Sequence, residues 1–286
     1  VDFGSGNVER RLVLHDQLLF VLDYGEGWVA QVPLEDAAYE GMEVEEPNGG
    51  EQQRPPVLMH TGQQVSGEDI GPLVDATWVD GEGGRQSAAL LVLGEDGQLV
   101  GYDPAWRSES GEPQLSLLEL NLPLLGRPVA VGSYRGRFYV LDAEAEGVGQ
   151  IWRYNPQGNA YPDQPERYFT ASPPQSFERA VDMAIDGHIY VLYENGQVDK
   201  FLGGESQPFE TGNVPEGLGE VAGFAVDPNG DGTVYIADRD NDRIVVLSAD
   251  GRFQSQLLAD PALTSLEGLA VNQADGLLYV LAAGQV

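Results

Sequence analysis

Cysteine is absent from the sequence, which removes both a disulfide framework and a thiol nucleophile. Lysine occurs once, at Lys200, and the 15 basic residues face 46 acidic ones for a formal charge of −31. A chain so short of cations repels phosphate backbones and anionic lipid headgroups, so nucleic acid is excluded as a partner. The plain reading of the acid excess is a solvated surface that maintains solubility. Although 42% of the residues are hydrophobic, no run approaches eighteen apolar residues, and no direct membrane insertion is expected. Long helical periodicity is missing too. There is no G-x-S-x-G elbow and no glycine-rich phosphate cradle before a helix. The three histidines, His15, His60 and His188, fall in separate parts of the chain, which argues against a three-histidine zinc site.

What is present is a repeat. Val221 to Leu258 reads as four short strands: Val221 to Val226, Thr233 to Ala237, Arg243 to Leu247 and Arg252 to Leu258, separated by turn clusters rich in Asp, Asn and Gly. Its second strand recurs as Phe20-Val21-Leu22-Asp23, Leu91-Val92-Leu93-Gly94, Tyr139-Val140-Leu141-Asp142, Tyr190-Val191-Leu192-Tyr193, Tyr235-Ile236-Ala237-Asp238 and Tyr279-Val280-Leu281-Ala282. These copies lie roughly 44 to 71 residues apart, too irregular for a linear solenoid and natural for a ring of blades with unequal loops. An inner-strand signal precedes each copy, ending near Leu14, Val79, Val131, Ile185, Val226 and Val271. A Gly-Gln pair opens the third strand at Gly97-Gln98, Gly149-Gln150 and Gly196-Gln197. The expected fold is all-β: a six-bladed β-propeller of four-stranded antiparallel blades.

The clearest copy carries Asp227-Pro228, Tyr235-Ile236-Ala237-Asp238, Asn241-Asp242-Arg243-Ile244 and Ala249-Asp250-Gly251-Arg252. It resembles an NHL repeat, departing from it in Asp242, where the repeat usually has His, and in a longer first turn. The resemblance is specific over one blade, and YWTD-type and gluconolactonase-type propellers remain open by pattern. It implies a six-bladed ring that binds protein, peptide or glycan. The gluconolactonase type implies instead a divalent ion held in the channel by acidic residues and an Asn from different inner strands. Here Asp75, Asp182 and Glu267 are available for that role, with no Asn in place.

The whole chain reads as a single propeller domain with blades at about 1–65, 72–120, 126–170, 177–211, 220–258 and 265–286. Glu43 to Pro56 and Ser108 to Pro113 read as long surface loops. The sixth blade contains two strands and then Gly284-Gln285-Val286, the start of a third. It is therefore incomplete, or closed by Val1 to Glu9 as an outer strand. The chain begins at Val1 with no leader profile, which reads as an excised or processed segment of a larger extracytoplasmic or secreted protein, a cytoplasmic one staying open.

Propeller topology sorts the polar residues by face. The second-to-third-strand loops are acidic, and Asp23, Glu95, Asp142, Glu146, Glu194, Asp238 and Asp240 are expected to ring one face. Arg10, Arg11, Asp75, Arg127, Asp182 and Glu267 enter the inner strands on that face and form the candidate ligand site at the channel mouth, unless acid and base simply pair there. Asp227, Asn229 and Asp231 have D-x-N-x-D-G spacing, which a calcium loop shares. Asp238, the twelfth position, lies a strand away, so a hairpin turn is the simpler reading and no cofactor is expected beyond this weak calcium alternative. Trp78, Trp106 and Trp152 are read as blade packing rather than a sugar platform. The function expected is a non-enzymatic binding or sensor domain for a protein, peptide or glycan, a basic ligand included. The alternative is a metal-dependent hydrolase or lactonase acting in the channel.

Overall fold

The computed structural model describes residues 10–33, 57–107, 113–121, 125–227, 232–258, 263–272 and 276–286. The segments Val1 to Glu9 and Glu43 to Pro56, most of Ser108 to Pro113, and both Asn229 and Asp231 lie outside the described residues.

Second strands decide the architecture. A strand whose two faces are both covered reads as an unbroken apolar run rather than an alternating one, and the six repeated runs are of that kind. In the first blade β1 (Arg10–His15), β2 (Leu18–Asp23), β3 (Trp28–Pro33) and β4 (Val57–His60) form an antiparallel sheet. A small hairpin of β5 (Gln64–Val65) and β6 (Glu68–Asp69) leads to the second blade: β7 (Leu73–Val79), β8 (Ala89–Gly94), β9 (Leu99–Arg107) and β10 (Pro113–Leu118). The third is β11 (Pro128–Tyr134), β12 (Arg137–Asp142), β13 (Gln150–Tyr154) and β14 (Glu166–Arg167). The fourth is β15 (Ala180–Ile185), β16 (Ile189–Tyr193), β17 (Val198–Leu202) and β18 (Glu205–Gln207). The fifth is β19 (Val221–Val226), β20 (Val234–Asp238), β21 (Arg243–Leu247) and β22 (Phe253–Leu257), followed by a two-stranded sheet of β23 (Leu266–Asn272) and β24 (Leu277–Ala282).

The inner strands close a ring. β1 packs beside β7 and β23, β11 lies between β7 and β15, and β19 lies between β15 and β23. The chain is thus a β-propeller; among the described residues it has five four-stranded blades rather than the six expected, with the hairpin β23–β24 in the remaining place. Gly284 and Gln285 turn back so that Gln285 bridges Ala282. The first four residues of β24 are half-buried or exposed, whereas β8 and β16 are buried throughout.

Side chains fill the wedge between neighbouring blades. Phe20, Tyr139, Tyr190, Tyr235 and Tyr279 pair in register with Val13, Gly132, Ala184, Ala225 and Ala270, so a large residue on each second strand meets a small one on the inner strand. Burying such a side chain is worth about 1.5–3 kcal/mol, a gain made in full at Phe20, Tyr139 and Tyr190 and in part at the half-buried Tyr235 and Tyr279. The outer strand β22 is largely exposed, as the rim of a propeller requires, while β10 is mostly half-buried.

Candidate binding site at the channel mouth

β-Bulges shape the mouth. Five inner strands skip one residue in their register with the second strand: Val74, Val129, Val181, Ala222 and Glu267 each fall in the gap between two paired neighbours. A bulge takes its residue out of the ladder and re-aims the side chain. Val74, Val129, Val181 and Ala222 line the central channel, a cavity of about 2030 Å³. They form an aliphatic collar on four successive inner strands, and Val181 is 37% exposed. β1 keeps its register, so Arg11 stays in the ladder opposite Leu22.

Beneath the collar an arginine crosses the channel. Arg11 Nε lies 3.0 Å from Asp75 Oδ1 on β7, its Nη1 bonds Asp182 Oδ1 on β15, and its Nη2 reaches the Met183 carbonyl at 3.4 Å. Asp75 is fully buried; it accepts the amides of Ala76 at 2.8 Å and Val131 at 2.7 Å, and the Tyr24 hydroxyl donates to it at 3.4 Å. Burial pushes the Asp75 carboxyl up to about 7, Arg11 opposing and the like charge of Asp182 adding to the shift. Burial also works against the Arg11 charge, but Asp182 and Asp75 more than offset it and hold the guanidinium above its ordinary range. The Tyr24 phenol is driven well above its usual value by burial, with Asp75 adding to it.

Arg10 and Glu267 belong to a different cluster. Arg10 Nε is 2.7 Å from Asp23 Oδ2 and its Nη1 is 2.7 Å from Glu267 Oε2, all three side chains being buried. Glu267 Oε1 accepts the Gly284 amide at 2.7 Å. This triad ties the first blade to the β23–β24 hairpin. The candidate mouth therefore divides: Arg11, Asp75 and Asp182 meet in the channel, Arg10 and Glu267 are buried between blades, and Arg127 stands at the rim. There it contacts Glu144 at 3.4 Å and donates to the Glu178 carbonyl at 2.5 Å.

The expected acidic ring is also divided. Asp23, Asp142 and Asp238 are fully buried. Asp142 accepts the amides of Gly126 and Arg127 at 2.9 Å and those of Glu144 and Ala145 at 3.2 and 3.1 Å. Asp238 accepts the Gly219 amide at 3.0 Å and pairs with Arg243 at 2.8 Å. These carboxylates end the second strands by satisfying loop amides, so they face protein rather than solvent. Glu146 and Glu194 are exposed but paired, with Arg167 at 2.5 Å and Arg179 at 3.0 Å, and Asp240 accepts the Glu220 amide at 2.8 Å. Glu95 is exposed at the mouth. Tyr24 and the collar carried no motif in the sequence. Their one trace is the repeated pair Val74-Asp75 and Val181-Asp182 at the same step of two inner strands.

At the opposite mouth the rings of His15 and Trp78 stack with centroids 4.2 Å apart, so Trp78 packs between blades and lines the channel. Trp152 is buried and Trp106 is 63% exposed.

The donor set does not fit a divalent ion. Asp75 and Asp182 share Arg11, Glu267 is taken by Arg10, and a cation already lies where a metal would have to bind all three. Among the described residues no three His, Cys, Asp or Glu side chains are arranged to hold a metal. Of the candidate calcium residues only Asp227 is described, and its amide donates to the Thr233 carbonyl at 2.9 Å.

No family model matches the chain. No curated protein matches it. Solved structures share its fold. A gluconolactonase from Xanthomonas campestris aligns at 14% identity over 98% of this chain and 85% of that one, with a TM-score of 0.61. A nidogen/laminin complex aligns at 14% over 91% and 83%, with a TM-score of 0.54. A catalytically inactive virginiamycin B lyase from Staphylococcus aureus, with quinupristin, aligns at 7% over 100% and 85%, with a TM-score of 0.53. These likenesses establish a β-propeller whose fold relatives include both enzymes and a component of a protein complex.

Proposed function

We propose that the chain is a non-enzymatic binding propeller that accepts part of a protein, peptide or glycan partner at the collared mouth of its channel, within a larger extracytoplasmic protein. One observation carries this reading: the channel carboxylates are spent on arginines of the same chain. Asp75 and Asp182 each give an oxygen to Arg11, so the two cannot together chelate a metal there and neither acts as an unpaired base. What remains open is an aliphatic collar with polar groups at its floor and rim, the composition of a recognition site. The fold by itself does not choose, since it occurs in a gluconolactonase, a lyase and a nidogen/laminin complex alike.

The test is to probe glycan and peptide arrays with the parent and with Ala222→Leu, which narrows the collar without touching an ion pair. Ligands that bind the parent and are lost in the folded variant support the reading. Lactone turnover that depends on a stoichiometric divalent ion would overturn it in favour of the hydrolase.

A further inference from the structure

The floor of the mouth has one acceptor left over. Asp182 Oδ1 takes both Arg11 and the Met183 amide, the latter at 2.7 Å. Asp182 Oδ2 accepts no hydrogen bond from any described residue, although the side chain is only 8% exposed. That oxygen faces Gly223 on β19, where an added Cβ would lie 3.7 Å from it. The equivalent positions of the six inner strands are Arg11, Asp75, Ala130, Asp182, Gly223 and Gly268. The ring at this level is therefore crowded where Arg11 meets the two aspartates and carries no side chain at Gly223, whereas Gly268 is backed by the first inner strand, the Arg10 carbonyl lying 3.1 Å from an added Cβ. Asp182 Oδ2 borders the gap at Gly223 and opens onto the channel, and Val181 and Ala222 line the same channel.

We propose that this gap binds a primary ammonium or guanidinium group on an apolar stem, such as a basic side chain of a protein or peptide partner. The cation sits on Asp182 Oδ2 and the stem lies against Val181 and Ala222. The inference rests on the mouth being a binding site and names its ligand class. A carboxylate oxygen that opens onto the channel without a protein donor accepts a charged N–H more strongly than a neutral hydroxyl. Charge favours the same choice: two carboxylates share one guanidinium at the floor, and the chain as a whole carries −31. An anionic head meets repulsion at the floor and from the whole field. At the rim, Arg127, Arg179 and Arg239 are already paired with Glu144, Glu194 and Glu220.

Calorimetric titration with hexylamine, hexanol and hexanoate separates head from stem. Hexylamine is expected to bind the parent about tenfold more tightly than hexanol, with hexanoate not binding. Asp182→Asn should erase the amine's advantage while leaving hexanol unchanged. Ala222→Leu, which touches neither Asp182 nor Arg11, should weaken hexylamine and hexanol together. Equal binding of all three probes that Ala222→Leu abolishes would overturn the cationic class while leaving the mouth as the binding site. Hexylamine binding that neither substitution changes, or no binding of hexylamine at all, overturns the inference, and the array experiment decides the broader reading separately. If Asp182→Asn fails to fold, the amine-over-alcohol preference in the parent and its response to Ala222→Leu decide the matter.

Discussion

Arg11 on β1 and Asp182 on β15 form a direct ion pair across the channel, although 171 residues separate them. The two strands are three places apart around the ring, so one side chain joins its opposite sides. A ring of blades is held mainly by face-to-face packing of neighbours, and this bridge adds a contact that neighbour packing does not supply.

Removing that cation leaves two acids facing one another with little solvent. Arg11→Met is expected to cost about 3–5 kcal/mol at neutral pH, the usual penalty for stripping one partner from a buried pair. The deficit should shrink in acid, where Asp75 takes up a proton and one of the two facing charges is gone. Urea unfolding of parent and variant at pH 7.5 and pH 4.5 checks this; an equal deficit at both would mean the loss is packing and not charge.

Asp75 sets a second pH dependence. Its folded carboxyl titrates near 7, raised from an ordinary value of 3.8. Below the lower value the acid is protonated folded or unfolded, and it contributes no pH slope. Between the two the unfolded chain gives up the proton while the folded one retains it, so stability falls as pH rises, and above about 7 the loss is complete. In Asp75→Asn that contribution is absent. The melting temperature of the variant minus that of the parent should therefore climb from pH 4 to pH 7 and then level off. A difference that is flat across this window would place the Asp75 titration elsewhere.

The Arg10 triad is expected to control the joint between the first blade and the hairpin. Arg10 bonds Asp23 and Glu267, and Glu267 in turn holds the Gly284 amide beyond β24. Arg10→Ala should let the hairpin open before the rest of the ring. Hydrogen exchange should then quicken at Leu277–Ala282 by more than at β8 or β16. Uniform acceleration across all blades would mean that the triad stabilises the whole ring and not this joint.

Much of the fold was legible because a blade stacks on two neighbours. Second strands buried on both faces must be apolar throughout, which is why Leu91-Val92-Leu93 and Tyr190-Val191-Leu192 stood out as strands and why the tyrosines at 139, 190, 235 and 279 share one register position. The Asp250-Gly251 turn was legible for a local reason: Gly251 has φ 88°, and a Cβ there would fall 2.5 Å from the Glu210 amide nitrogen. The site was less legible. A bulge has no residue signature, so nothing in Val74 or Val129 announces that the ladder skips it. The Arg11–Asp182 pair depends on ring closure, which no local pattern encodes. Asp142 and Glu95 occupy similar loop positions and look alike in sequence. One is fully buried against four amides and the other is exposed.

That contrast gives the last prediction. If buried aspartates end the second strands, charge removal should sort by hydrogen bonding and not by position on the face. Asp142 receives four backbone amides besides a 3.5 Å approach from the Trp152 indole N–H, and an alanine there removes their acceptor, leaving the buried Ala145 amide and Trp152 N–H without one. Each such donor costs roughly 1–3 kcal/mol, so Asp142→Ala is expected to lose at least ~3 kcal/mol. Asp142→Asn retains one acceptor oxygen and should recover part of that loss. Glu95→Ala removes the same charge from an exposed site and should stay within about 0.5 kcal/mol of the parent. Equilibrium urea unfolding of the three variants ranks them. If Asp142→Ala and Glu95→Ala proved equally mild, Asp142 would be one more member of a solvated acidic face, and the loop amides would have found their acceptors elsewhere.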